Sequence, residues 1–413
     1  MRYSRVLRRV AGVAVVAVAA TALTGYAVAT SGSDGSKSTH ATVKAHPKPG
    51  TGIAPLALTI PYVSGGVTSG FGLDLQFFQQ RVAALSGGKI TVTLQGGYLT
   101  TEVGLLTNVR SHSTQSITVN SANSANNYVA AGISTGVWDQ QGLSCFMAIQ
   151  APGLISSPPL ETKVFVGPIG QSMLDCAHTQ AKNVRALGFI DAGLRHPYVV
   201  AARQPASLTG LTMRTSTSLV AEEGMFGMGA IPYPVPVGGV ASLMKSGAIQ
   251  GLDATPSVIA GFKLYGGVGN GGVGVGFGNV PTGQTGYFMN NEVMWPYAGA
   301  ITFNQRFLSH LSAAARHVLA TAARDTTAYG IGAAAAQGLN QSQDIANCGV
   351  EFVNASPDSL ASFNAGAQQA VTTLSLNPTT RSYIRQVQKV VAKTPVASPE
   401  SYPTGANGTC ALP

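Results

Sequence analysis

"ALGFIDAGLRHPYVVAARQPASLTGLTMRTS", Ala186–Ser216, decides how this chain is read. Two extended stretches, "RHPYVVAA" (Arg195–Ala202) and "LTMRTS" (Leu211–Ser216), flank a turn that contains Pro205 and Gly210. Each has strand-forming residues, and each carries one of the arginines Arg195 and Arg214. Upstream, "PIGQSMLDCAHTQAKNVRAL" reads as a helix; downstream, so does "TSLVAEEGMFGMGA". Strands alternating with helices build a layered α/β fold.

The alternation extends both ways. "LALTIPYV" from Leu56 predicts a strand. "GLDLQFFQQRVAALSGG" predicts a helix, with Leu75, Phe78, Val82 and Leu85 at helical spacing and a Gly pair as its stop. "KITVTLQGG" reads as a strand, "EVGLLTNVRSH" as a helix and "QSITVNSA" as a further strand. This β-α-β-α-β succession predicts a parallel sheet with helices on its faces. Further on, "IPYPVPV" and "QGLDAT" read as extended, and "GGVASLMKSGAI" and "TPSVIAGFKLYGG" as helical. "AGAITFNQRF" and "GVEFVN" predict strands. "LSHLSAAARHVLATAARDTTAYGIGAAAAQGL" predicts one long Ala-rich helix, and "SPDSLASFNAGAQQAV" a helix with a Ser/Asp start. No fixed-period repeat is present, which argues against a solenoid.

Residues 1–29 read as a secretory signal: the basic "MRYSRVLRR", an apolar stretch of about 16 residues, then Ala27–Ala29 as a small-residue cleavage site. A spanning helix needs about 20 residues. Leu23-Thr24-Gly25 resembles the start of a lipobox, but Tyr26 stands where the lipidated Cys would be. Residues 30–55, rich in Ser, Thr, Gly, Pro and Lys, read as a disordered tether. Residues 396–413 read as a C-terminal tail. The expectation is an exported protein, periplasmic or extracellular. The four cysteines, Cys145, Cys176, Cys348 and Cys410, form no C-x-x-C pair, so zinc and redox motifs lack support. An even count in an exported chain favours disulfides. Three pairings are possible; Cys145–Cys176 with Cys348–Cys410 is the most local, and buried free thiols are the alternative.

Composition narrows the function. Apolar residues are 45% of the chain, enough for sizeable cores, while charged residues are only 10%, against about 25% in typical domains. Of the net charge of +9, Arg2, Arg5, Arg8 and Arg9 supply four, and Lys37, Lys44 and Lys48 against Asp34 supply two. The remainder shows no Lys/Arg run with interleaved aromatics, so no nucleic acid is expected as a partner. Gly267, Gly269 and Gly272 spell G-x-G-x-x-G, with Glu292 at the spacing of a ribose-binding acid. A dinucleotide loop must follow a strand and open a helix. Here a helical segment precedes it, and Val273–Gly278 alternates like a strand before Pro281, so no nucleotide is expected. These glycines fit a bending crossing segment better. The motifs H-E-x-x-H and G-x-x-x-x-G-K-[ST] are missing from the chain, and the 16 acidic residues leave few candidates for paired-carboxylate chemistry. His310 and His317 are expected on one face of the long helix, in solvated or capping roles. No catalytic residue, metal or cofactor is assigned.

In order, four segments resemble the dicarboxylate-binding (DctP-like) solute-binding proteins of tripartite ATP-independent periplasmic (TRAP) transporters. "FFQQRVAALSGGKITVTLQGGYL" is similar to that family's opening helix and strand, and Ala186–Ser216 to its central G-x-R and Leu-Gly turn. "GAIPYPVPVGGVASLMKSGAIQGLDATPS" and "AGAITFNQRFLSHLSAAARHVLATAA" are similar to its later strand-helix pairs. The resemblance spans about residues 60–395. It implies a two-lobed, periplasmic-binding-protein-like α/β fold with a hinge and an interlobe cleft. Lobe 1 would be 56–193 plus about 281–330, and lobe 2 would be 194–280 plus about 331–395. It implies that Arg214 salt-bridges the ligand's carboxylate, with Arg195 and Asp253 beside it. There are departures: Ala254 stands where the family has Asn, Gly238–Ala241 where it has Glu-Val-Tyr, and Asn120 and Ser121 where some members have an acid.

The residues support part of this on their own. An arginine offers a planar fork matched to a carboxylate. Asp191 competes as a structural partner for Arg195, and Asp253 reads equally as a turn cap. Thr217 offers a hydroxyl contact or, more simply, a helix N-cap. Ser121 is the remaining candidate contact. His196 reads as a hinge neighbour, and Trp138, Trp295 and Tyr297 as core before pocket. The expected function is capture of a small organic acid by a monomer and its delivery to TRAP-type membrane permease subunits. A sensor or secreted scavenger of the same fold is the alternative, and an exported enzyme ranks behind both.

Overall fold

The computed structural model describes residues 49–63, 70–97, 101–117, 126–268, 274–275, 278–395, 402–403, 405, 409–410 and 412. By its contacts the chain separates into Met1–His46 and Pro47–Pro413, and the described residues all lie in the second unit. The signal and most of the tether fall outside them.

The unit opens with strand β1 (Leu56–Pro61), helix α1 (Phe71–Ser86), strand β2 (Ile90–Gln95) and helix α2 (Glu102–Ser111). β1 and β2 pair in parallel, as the β-α-β reading requires. α1 buries Leu75, Phe78 and Val82, and Gly87 caps it in the left-handed conformation (φ 59°) that a side chain would strain. The strand expected over 115–122 lies largely outside the described residues; within them, Ser116 makes an isolated bridge to Asn127. Strand β3 (Ala130–Ser134) follows, then α3 (Gly136–Asp139), α4 (Pro158–Phe165) and α5 (Pro168–Gln180).

The sequence reading needs its largest correction here. The helix expected through Leu187 stops at Gln180, where Asn183 takes a left-handed φ of 63°. Strand β4 then runs for 18 residues, Val184–Ala201. It is buried almost throughout, so it lacks the polar alternation that marks a half-buried strand. Gly188 lets a helix lie directly on it: a Cβ there would sit 2.5 Å from the Ala323 carbonyl oxygen.

The remaining strands are β5 (Thr212–Thr215), β6 (Ile231–Pro234), β7 (Gly251–Ala254), β8 (Gly267–Val268), β9 (Gly274–Val275), β10 (Thr285–Met289), β11 (Trp295–Asn304) and β12 (Val350–Val353). The helices are α6 (Leu219–Gly227), α7 (Val240–Lys245), α8 (Pro256–Gly261), α9 (Gln305–His310), α10 (Ala313–Asn347), α11 (Pro357–Leu374) and α12 (Pro378–Val391). The long Ala-rich segment is thus two helices. Ser312 breaks it by capping α10, accepting from the Ala315 N–H. His310 and His317 therefore lie on different helices rather than on one face.

The sheet is mixed, not parallel throughout. Up to Arg195, β4 pairs antiparallel with β11, which also pairs with β3. From His196, β4 pairs antiparallel with β7, and from Tyr198 with β10 as well. β5 lies parallel between β6 and β7. One strand therefore belongs to two groups of partners, and the exchange falls at Arg195. α10 packs along β4 and also touches α1 and α8.

Both expected disulfides are present. Cys145–Cys176 ties the α3–α4 connection to α5, and Cys348–Cys410 ties the tail to the end of α10. Tyr402 of that tail is buried against Phe288 and Phe352.

Candidate functional site

β5, β6 and β7 are parallel, so their C-terminal ends open on the same edge. In open α/β sheets this is the edge where ligands bind. Arg214 stands near the end of β5 and Asp253 near the end of β7, while Val235 follows β6 directly. Arg195 reaches the same place from the exchange point of β4.

The three charged residues share one arrangement. Arg195 donates through Nη1 to Oδ2 of Asp253 at 2.7 Å and to the Asp253 carbonyl oxygen at 2.7 Å. Its guanidinium carbon lies 3.8 Å from the centre of the Tyr297 ring, a stacked cation–π contact. Arg214 donates Nε–H to the Val235 carbonyl at 3.0 Å, and its Nη1 is 3.8 Å from Oδ1 of Asp253. That second separation is an ion-pair distance, too long for a hydrogen bond. Relative exposures are 6% for Arg195, 3% for Arg214 and 1% for Asp253. Burial pulls the Arg214 pKa below its usual value and neighbouring Arg195 adds to this, while Asp253 opposes both.

Glu102, which the sequence reading missed, joins the set. It sits in the first turn of α2, whose N-cap Thr101 accepts from the Gly104 N–H. Its two oxygens accept from the Ser134 N–H at 3.1 Å and the Ser134 hydroxyl at 2.8 Å. Burial raises its pKa; those two hydrogen bonds and the charges of Arg195 and Arg214 oppose the rise. The signal was present in "TTEVG", a cap followed by an acid, but nothing local tied it to arginines about 100 residues away.

The other candidates scatter. Thr217 is exposed and accepts from the Gln140 amide at 2.8 Å; the cap of α6 is its neighbour Ser218. Ser121 lies outside the described residues. Arg195 pairs with Asp253, not with Asp191, whose backbone N–H instead donates to Asp74. His196 is fully enclosed against Phe288, its Nδ1 bonds the Met289 carbonyl, and burial lowers its pKa to about 4. Trp138 and Trp295 are core, each 1% exposed.

β8 and β9 form a short antiparallel pair, and Gly269 and Gly272 lie outside the described residues. Glu292 is buried and accepts from the Ser359 hydroxyl at 3.0 Å, a structural use of that acid. Among the described residues no group of three His, Cys, Asp or Glu is placed to hold a metal ion, and no helix is long and apolar enough to cross a membrane.

Residues 153–267 match the family "bacterial extracellular solute-binding protein, family 7", which spans the strands of Arg195, Arg214 and Asp253. A TRAP periplasmic solute-binding protein from Ochrobactrum anthropi, with its C-terminus bound in the ligand-binding pocket, has a TM-score of 0.66 at 17% identity. The match covers 83% of this chain and 97% of that one. The sugar acid binding protein of Advenella mimigardefordensis, in complex with galactonate, has 0.66 at 18%, covering 82% and 99%. A Shewanella oneidensis TRAP periplasmic solute-binding protein with bound succinate has 0.66 at 18%, covering 83% and 100%. The resemblance read from the sequence holds: the chain has the two-lobed α/β fold of these proteins.

Proposed function

We propose that this protein is an extracytoplasmic solute-binding protein that captures a small organic acid at Arg214 and hands it to a TRAP-type membrane permease. One observation carries the reading: two buried arginines converge on a single aspartate at the C-terminal edge of the parallel strands. Arg195 hydrogen-bonds Oδ2 of Asp253, while Arg214 stands only at ion-pair distance from Oδ1. The Arg214 fork is held by its Nε–H, which leaves its Nη groups to meet a ligand carboxylate. Such a bond strengthens as closure removes water. The role is one of binding rather than catalysis, in keeping with the solute-binding family that the chain matches.

The proposed lobes follow the sheet partners of β4. The first holds β1–β3, β11 and the front of β4; the second holds β5–β7, β10, β12 and its back. Because β10 pairs with Tyr198–Ala201, the proposed return to the first lobe falls between Met289 and Trp295, later than residue 281. Arg195 lies at the crossing, where a closing motion would move it least.

A thermal-shift screen of sugar acids, dicarboxylates, neutral sugars and amines tests this, since a ligand raises the melting temperature by mass action. Stabilisation by carboxylates, lost in Arg214→Ala, is the expected result. Stabilisation by neutral or cationic compounds alone would sink the proposal.

A further inference from the structure

α12 is amphipathic and carries no acid. Tyr383, Ile384 and Val387 face the core, while Arg381, Arg385 and Lys389 recur every fourth residue on the exposed side, with Lys393 one step beyond. A step of four advances about 6 Å and turns only about 40°, so the four cations form one row roughly 18 Å long. Lys163 of α4 joins its far end, donating to the Thr394 hydroxyl at 2.9 Å. Lys163, Lys389, Val390, Lys393 and Thr394 line an open hollow of about 320 Å³.

None of the ion pairs among the described residues involves these five cations. The elements packed on α12 offer few acids: Glu161 of α4 is buried, Asp175 of α5 faces Arg185, and Asp358 lies in the first turn of α11. Leu376, 78% exposed just before the cap of α12, and Val166, 44% exposed three residues after Lys163, are exposed apolar side chains close to the row in sequence.

We propose that this face of α12, with Lys163, docks the protein on an anionic phospholipid surface, its cations meeting headgroup phosphates. Charge complementarity selects the partner. Clustered basic residues on an amphipathic helix are attracted to anionic bilayers, each strengthening binding about fivefold. A protein partner would call for aromatic anchors and few lysines, and a nucleic acid for stacking rings; the aromatic of α12, Tyr383, is buried. The surface is separate from the arginine site and stands or falls independently of it.

The test is co-sedimentation of the full chain with phosphatidylglycerol/phosphatidylcholine vesicles and with phosphatidylcholine vesicles, at low and high salt. The R381Q/R385Q/K389Q/K393Q variant is compared with K89Q/R203Q/K245Q/K263Q, which removes the same charge from exposed cations elsewhere. Expected are a loss of at least tenfold in binding to anionic vesicles for the α12 variant, a shallower salt dependence, and less than twofold change for the control variant. Thermal melting serves to confirm that both variants are folded. Equal losses in the two variants, unchanged binding of the α12 variant, or equal binding of the parent to neutral vesicles would each overturn the proposal.

Discussion

Arg195 and Arg214 in the arginine site, and Arg381, Arg385, Lys389 and Lys393 along α12, are similar groups under opposite conditions. The first pair is almost dry, shares one carboxylate and is fixed by hydrogen bonds at 2.7 and 3.0 Å. The row on α12 is exposed and forms no ion pair among the described residues. Burial makes a charge costly and therefore selective: a desolvated guanidinium must be answered by a group of fitting shape. An exposed charge costs little and answers to any sufficient density of opposite charge, and salt screens it.

Removing Asp253 attacks the contrast most directly. Asp253→Ala removes the carboxylate shared by two buried guanidinium groups and leaves only the more distant charge of Glu102, and should cost about 3–5 kcal/mol of stability in urea unfolding. A cost near that of a surface substitution would mean that the pair is solvated after all. Arg214→Ala comes next: affinity for the stabilising carboxylate should fall about 100-fold or more by calorimetry, the scale of losing a buried charge partner. Arg381→Ala should leave that affinity unchanged.

A third buried charge sharpens the comparison. Asp139 accepts from the Ser218 hydroxyl at 2.5 Å and the Val220 N–H at 3.2 Å, yet burial raises its pKa from 3.8 to about 6. Between pH 4 and 6 the folded chain holds a proton that the unfolded chain has released. This group therefore stabilises the fold below pH 4 and loses that contribution as pH rises to 6. In Asp139→Asn the loss disappears, so the variant should gain on the parent by about 2 kcal/mol between pH 4 and 6 and then level off. His196, with its pKa lowered to about 4, works the other way and loses stability as pH falls from 6.5 toward 4. Urea midpoints at pH 4, 5, 6 and 7 separate the two; a parallel pair of profiles would exclude Asp139 as a titrating group. The smallest effect is that of salt at the arginine site: raising NaCl from 0.05 to 0.5 M should weaken carboxylate binding only a few-fold.

Much of this was legible before any coordinates. β1, α1, β2 and α2 follow from period and stop signals that are strictly local, and Arg214 stood out as a candidate from the family resemblance and from its charge-poor surroundings. What was lost shares a physical cause. β4 is buried on both faces, so Asn183–Leu194 shows no alternation, and the left-handed stop at Asn183 carries no glycine to announce it. The cap at Ser312 was hidden inside an Ala-rich run whose composition is helical on either side. Glu102 was missed because its role is set by residues about 90 and 110 positions away, a distance that only folding closes. The pairing of Arg195 with Asp253 rather than Asp191 has the same origin: four residues apart on one strand is farther than 58 residues apart across a sheet.

β4 has one more consequence, for how this chain can change in length. Its front half is registered against β11, with register shifts between Asp191 and Leu194 and between Ala186 and Gly188, and its back half is registered against β7 and β10 with no loop between the two. One insertion near Arg195, unless taken up as a bulge, would turn every following side chain of the strand to the opposite face, moving Tyr198 from one packed face to the other. Surface turns tolerate added residues, whereas any change of length between Val184 and Ala201 must be met by a bulge or it alters the register of both halves.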